Sequence, residues 1–216
     1  MRNPAVTFFL LFSMIGATVW SEEPVPVGLE FQVNTYTTEN QGRPAVAFNS
    51  EGAFVVVWES KGQDGSDWSI QGQRFAENGT PQGGEFQINE YTTGDQEVPA
   101  VASDAAGNFV VLWASSFQDG SYMSVQGRRY DNAGVALDGE YQDNTYTPGN
   151  QAQTGVATAD TGEFVAVWAS YQQDGSGWGI HAQRYDPDGV PLAGEFQVNT
   201  YTTAHQHYPT VAMNAD

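Results

Sequence analysis

The stretch that decides the fold is AFVVVWES at Ala53–Ser60. It returns as NFVVLWAS at Asn108–Ser115 and as EFVAVWAS at Glu163–Ser170. Trp58, Trp113 and Trp168 are 55 residues apart at each step. Asp64, Asp119 and Asp174 keep the step, as do Arg74, Arg129 and Arg184, and Glu30, Glu85, Glu140 and Glu195. A gap-free period of this length belongs to stacked or radially arranged units. The repeated region covers residues 30–216, as units 30–84, 85–139 and 140–194 and a partial unit 195–216.

Within one unit, turn-rich sequence separates four predicted strands: Pro44–Phe48, Ala53–Ser60, Ser69–Phe75 and Glu85–Glu90. The second is apolar without a break from Phe54 to Trp58, so both of its faces should be covered. The fourth alternates, with Phe86 and Ile88 against Glu85, Gln87 and Asn89, so one face should be wet. No stretch of the repeats has a helical apolar period. The fold class is therefore all-β. A sheet dry in its middle and wet at one edge is a β-propeller blade, here four-stranded and antiparallel.

One such blade cannot stand alone. Each buried side chain of the second strand contributes roughly 1.5–3 kcal/mol, while ordering the backbone costs roughly 1–2 kcal/mol per residue. The balance turns favourable only when a neighbouring blade covers the second face. Three complete blades are expected, Pro44–Glu90, Pro99–Thr145 and Thr154–Thr200. A lone fourth strand at Glu30–Thr35 precedes them, and a lone first strand at Pro209–Met213 follows. Propellers close with about four to eight blades, so this ring is incomplete. Two explanations stand side by side: the front part of a longer protein, or closure by self-association through exposed blade faces and strand edges.

The chain of 216 residues carries 26 acidic and 7 basic side chains, a formal net charge of −19. That argues against nucleic acid and anionic lipid as partners, because phosphate binding needs a basic patch. With no cysteine, disulfides and a zinc–thiolate site are excluded. Residues 1–21 read as a secretory signal peptide: Arg2, a 15-residue mostly apolar run at Ala5–Val19, then small residues before Glu22. The run is short for a membrane span of roughly 20 residues. Residues 22–29 are a lead-in with Pro24 and Pro26. The expected location is secreted or cell-surface, with no membrane span after cleavage.

The units VNTYTTENQGRPAVAFNSEGAFVVVWESKGQDGSDWSIQGQRF and INEYTTGDQEVPAVASDAAGNFVVLWASSFQDGSYMSVQGRRY resemble tandem repeats of large secreted or surface-attached bacterial proteins. Those repeats look like β-propeller blades. The resemblance covers nearly all of Glu30–Asp216 and implies the fold and an extracellular setting. The Gly-His and Trp-Asp marks of one propeller family are absent. Gln63-Asp64-Gly65-Ser66-Asp67-Trp68 is only reminiscent of a sialidase-type Asp box, since Gly65 directly follows Asp64.

In an up-and-down blade, the loop entering the first strand and the loop joining strands two and three lie at one end. One rim should thus gather Gln63, Asp64 and Trp68, then Gln118, Asp119 and Tyr122, then Gln173, Asp174 and Trp178. Thr37, Thr92, Thr147 and Thr202, with Gln41, Gln96, Gln151 and Gln206, recur beside them. Amides, carboxylates and aromatic rings together suit a glycan, a peptide or calcium. Against that, Asp and Ser recur because every blade needs the same turn, where they bond local backbone N–H groups. Calcium is weakened by its need for roughly six to eight oxygens. No other cofactor is indicated.

Arg74, Arg129 and Arg184 end third strands, and Glu85, Glu140 and Glu195 begin fourth strands, so three hairpin ion pairs are expected. His181, His205 and His207 occur in one copy each, and the last two are spaced for a metal but lack an evident third ligand. Arg128 and Asp143 also break the repeat, without an assignable role. A catalytic centre should break the symmetry. No Ser–His–Asp arrangement and no Gly-x-Ser-x-Gly is found, so no catalytic residue is named. Three function classes remain: a secreted or surface binding module for a glycan or protein, a self-associating structural repeat, and a propeller-borne glycosidase or lyase.

Overall fold

The computed structural model describes residues 29–214. The expected signal peptide and most of the lead-in lie outside the described residues. The chain divides into one unit ending at Phe31 and one beginning at Gln32. Of the first, Leu29–Phe31 are described; they are exposed and carry no strand. The second holds every strand found among the described residues.

Twelve strands form three antiparallel sheets, each in the order in which the chain runs. The first blade has β1 (Gln41–Phe48), β2 (Phe54–Lys61), β3 (Trp68–Phe75) and β4 (Phe86–Gln87). The second has β5 (Gln96–Ser103), β6 (Phe109–Ser116), β7 (Met123–Tyr130) and β8 (Tyr141–Gln142). The third has β9 (Gln151–Thr158), β10 (Phe164–Tyr171), β11 (Trp178–Tyr185) and β12 (Phe196–Gln197). The first strands β1, β5 and β9 are neighbours across the seams, and no comparable contact joins the fourth strands. The blades are thus set radially, with first strands inside. Among the described residues there is no helix and the ring is not closed.

The unbroken apolar run behaves as its composition requires. All eight residues of β6, which has a blade on either side, are buried. The end blades leave parts of β2 and β10 half-covered. Each of the two later tryptophans faces the preceding blade. Trp113 packs with Val55, Val57, Ile70 and Ile88 of the first blade. Trp168 packs with Val110, Leu112 and Val125 of the second.

The fourth strands are shorter than expected, two residues each. Asn89, expected on the wet face, is 3% exposed. Its Oδ1 accepts the Ile70 backbone N–H at 2.7 Å, where a longer strand would have offered a carbonyl. Asn144 and Asn199 do the same for Val125 and Ile180. The side-chain amide ends the ladder and turns the chain inward. Neither lone strand forms. Residues 30–35 have no third strand to pair with; instead the Thr35 N–H and hydroxyl each donate to Glu85 at 2.7 Å. Residues 209–213 have no second strand beside them, and the Tyr208 N–H donates to Gln153 Oε1 at 2.9 Å.

Every first strand is bulged, between Gly42 and Ala45 in β1 and between Glu97 and Ala100 in β5, with the matching shift in β9 opposite Val167 and Ala169. The bulge puts Arg43, Val98 and Gln153 at φ of 46°, 56° and 59°. For a β-branched residue such as Val98 this backbone is costly. It persists because inner strands must bend where they converge.

Two substitutions test this packing. Trp113→Ala should cost about 3–5 kcal/mol, the usual aromatic-to-alanine range in a core; a thermal melt matching wild type would refute the packing described. A Cβ at Gly127 would lie 2.7 Å from both Asp143 Oδ2 and Tyr141 Cζ, whereas one at Gly139 would meet nothing within 4 Å. Gly127→Ala should therefore cost about 1–3 kcal/mol, and Gly139→Ala should stay within about 0.5 kcal/mol of wild type, both read by denaturant titration.

Candidate functional site

The rim forms at the expected end. The Lys61 N–H donates to the Asn40 carbonyl at 2.9 Å, which ties the loop leaving β2 to the segment entering β1. Within the β2–β3 loop, Asp64 Oδ1 accepts the Ser66 N–H at 2.9 Å, and Gly65 takes φ of 88°, which costs a glycine little. Asp119 and Asp174 repeat this turn with Ser121 and Ser176. One carboxylate oxygen of each aspartate therefore holds the turn. The other, Oδ2, is buried with no hydrogen-bond partner among the described residues, as is Oε1 of Gln63, Gln118 and Gln173.

The amide nitrogens of those glutamines are committed. Gln63 donates to Glu85, Gln118 to Glu140 and Gln173 to Glu195. The second oxygen of each glutamate accepts bonds from the segment that leads into the first strand of its own blade: from Thr35 before β1, from the N–H groups of Glu90 and Tyr91 between β4 and β5, and from Thr145 between β8 and β9. Each glutamate thus ties its own rim loop to the chain segment before it. Burial pulls the Glu85 carboxyl upward, but the bonds from Thr35 and Gln63 outweigh it and hold it below its usual value.

This overturns the expected hairpin ion pairs Arg74–Glu85, Arg129–Glu140 and Arg184–Glu195. The ladder sets Gly72 opposite Phe86, so Glu85 is level with Gln73 and not with Arg74, and the two side chains leave on opposite faces. Arg74 instead donates to Gln82 and to the Ala133 carbonyl of the next blade. Arg129 pairs with Asp138 and donates to the Pro187 carbonyl at 2.8 Å. The recurring Gln96 and Gln151 are also not rim surface. They are wholly buried, donate to the Thr93 and Pro148 carbonyls, and accept from Asn89 and Asn144.

The aromatic residues are differently placed. Trp68 and Trp178 are half-buried, and Tyr122 is 63% exposed. The Lys61 ammonium lies 6.0 Å from the Trp68 ring centre. Tyr122 pairs with the exposed Phe117 at 6.4 Å, and Trp178 has Tyr171 and His207 each at 5.4 Å. His205 stacks on His207 at 5.5 Å. Among the described residues, no group of three or more His, Cys, Asp or Glu side chains is arranged to hold a metal. His181 is 4% exposed, where the other blades have Gln71 and Gln126. Burial lowers its pKa, against the opposing charges of Glu195, 3.5 Å away, and Asp174.

One charged group was missed from the sequence. Glu59 is 5% exposed, accepts the Val98 N–H at 3.2 Å and lies 3.5 Å from Arg43. Glu97 lies 3.9 Å from the same guanidinium. Burial, then the Glu59 charge, raises the Glu97 carboxyl, with Arg43 opposing. Ala114 and Ala169 stand at the Glu59 position in the other blades, and Gly42 and Ala152 at the Glu97 position. A search for acids that break the period would have found the pair.

No protein-family model and no curated protein matches this sequence. Solved structures do. An α-L-arabinanase from Penicillium chrysogenum, complexed with arabinobiose, is 15% identical with a TM-score of 0.55, over 79% of this chain and 54% of that one. An N-acetylgalactosamine deacetylase from F. plautii, in complex with blood group B trisaccharide, is 14% identical with a TM-score of 0.50, over 82% of this chain and 57% of that one. The chain spans little more than half the length of these structures. At such identity the likeness is one of fold, and with three radially set four-stranded blades it shows a β-propeller-type architecture.

Proposed function

We propose that this is a secreted or cell-surface binding module that takes a glycan on the rim of its blades. One observation carries the reading. Each blade places at least one aromatic residue outside the core at the same end, among them Trp68, Tyr122 and Trp178, beside Gln63 and Asp64, Gln118 and Asp119, and Gln173 and Asp174. Sugar rings present apolar C–H faces and hydroxyl edges, which suit an aromatic platform with amides and carboxylates nearby. The aromatic rings supply the contact area, while the Gln-Asp turn positions them. The bound sugars named for two proteins of like fold agree with a saccharide ligand. A protein ligand on the same rim is the alternative occupant.

A second reading, a propeller-borne glycosidase, has one observation in its favour. Glu59, on β2, and Glu97, on β5, meet at the Arg43 guanidinium, and they break the repeat as a catalytic pair would. Turnover of a polysaccharide panel that is lost in Glu97→Gln would establish it.

Binding to a glycan array tests the first reading. Trp68→Ala and Trp178→Ala should each weaken binding about tenfold or more, a change of about 1.4 kcal/mol. Undiminished binding by the double variant would exclude the rim. Asp119→Asn keeps the oxygen that holds the turn, so its melting temperature should not move. Weaker binding by that variant would assign the second oxygen to ligand or calcium, and a chelator in the same assay separates these two.

A further inference from the structure

The seam between the second and third blades buries a carboxyl where the seam between the first and second buries an alkyl group. Where the first blade has Ile88, the second has Asp143, 3% exposed. Tyr141 replaces Phe86 beside it. Across the first seam, the Tyr130 hydroxyl donates to the Ile88 backbone carbonyl at 3.2 Å. Across the second, the equivalent Tyr185 hydroxyl donates to Asp143 Oδ1 at 2.7 Å. Among the described residues Asp143 Oδ2 has no hydrogen-bond partner, nor has the buried Tyr141 hydroxyl, and both lie against Gly127.

We propose that Asp143 is a proton-operated latch: while it carries a proton it lies uncharged against Tyr185 in the seam between the second and third blades, and when it loses the proton the cost of keeping that charge buried loosens this seam alone. The groups facing the carboxyl do not neutralise it. Tyr185 faces it from β11 and Tyr141 from its own strand. Arg129, on β7, lies beyond Tyr141 and is already paired with Asp138. Glu195 lies beyond Tyr185 and adds negative charge, and His181, on β11, lies beside Glu195. An ionised Asp143 would therefore sit in the seam with one phenol donor and no cation of its own, an arrangement that proteins avoid.

Burial accordingly pushes the carboxyl up to about 7, with the Tyr185 bond opposing. The unfolded chain gives up this proton in the ordinary carboxylate range, and the folded seam keeps it until near neutrality. The stabilisation is complete at acid pH and is lost as pH rises through about 7. In a protein that works outside the cell, this couples blade spacing to the acidity of its surroundings.

Hydrogen exchange of the purified chain tests the latch without any ligand. At about pH 8 against about pH 5.5, corrected for intrinsic exchange, protection of residues 141–144 and 178–185 should fall several-fold, while residues 54–57 and 86–89, the first blade's side of the other seam, should not change. Asp143→Asn, which stays neutral, should remove the difference; Asp143→Ile, with the first blade's side chain, should do the same. Equal loosening of both seams would overturn the latch, as would a pH difference that survives Asp143→Asn and vanishes in His181→Gln. A carbonyl-stretch spectrum showing Asp143 already ionised at about pH 5.5 would overturn it as well.

Discussion

Everything in this chain depends on one blade covering the face of the next. The second strand of each blade is apolar on both sides, and in the second and third blades its tryptophan is buried against the preceding blade. Trp113 joins Phe109, Val111 and Tyr130 of its own blade to Val55, Val57, Ile70 and Ile88 of the first. The same dependence explains why burial is complete in β6 and partial in the end blades. Stability in such an array is a sum of nearest-neighbour interfaces. A residue at a seam therefore does more for the whole than its position in the chain suggests.

Polar groups follow the same logic. The repeated Glu85, Glu140 and Glu195 each bond their own rim loop and the segment that precedes it, and Arg74 and Arg129 donate to carbonyls one blade further on. These are directional ties laid over an apolar interface. They fix how far adjacent blades can slide or splay, which the hydrophobic contact alone leaves loose. Asn89, Asn144 and Asn199 add a third device by ending the outer strand with a side-chain amide.

Residues identical in every blade hold the fold, and residues that differ are where an individual blade acquires its own character. Gln96, Gln151 and the turn aspartates belong to the first class. Glu59, Glu97, Arg128, Asp143 and His181 belong to the second. Four of these five sit at seams: Glu59 reaches Val98 of the next blade, Arg128 reaches Ile88 and Glu90 of the preceding one at 3.0 and 2.5 Å, Glu97 meets Arg43, and Asp143 meets Tyr185. Functional variation in a repeat architecture is easiest there, because the strand framework is left intact.

The sequence by itself determined the period, the number of strands per blade, the buried second strand and the end at which the rim loops gather. These are legible because they depend on local pattern: an apolar run, a turn of Gln-Asp-Gly-Ser, a 55-residue step. Only the tertiary structure decided the partners of the long polar side chains. Arg74 and Glu85 are close along the chain, yet strand alternation sends them to opposite faces and each finds a partner in another blade or loop. The brevity of β4 and the failure of residues 30–35 and 209–213 to become strands were also decided there. A strand exists only where a neighbour offers hydrogen bonds, and no sequence pattern carries its neighbour with it. Asp143 and the Glu59–Glu97 pair were visible as breaks in the repeat, but their meaning lay in what the adjoining blade brought against them.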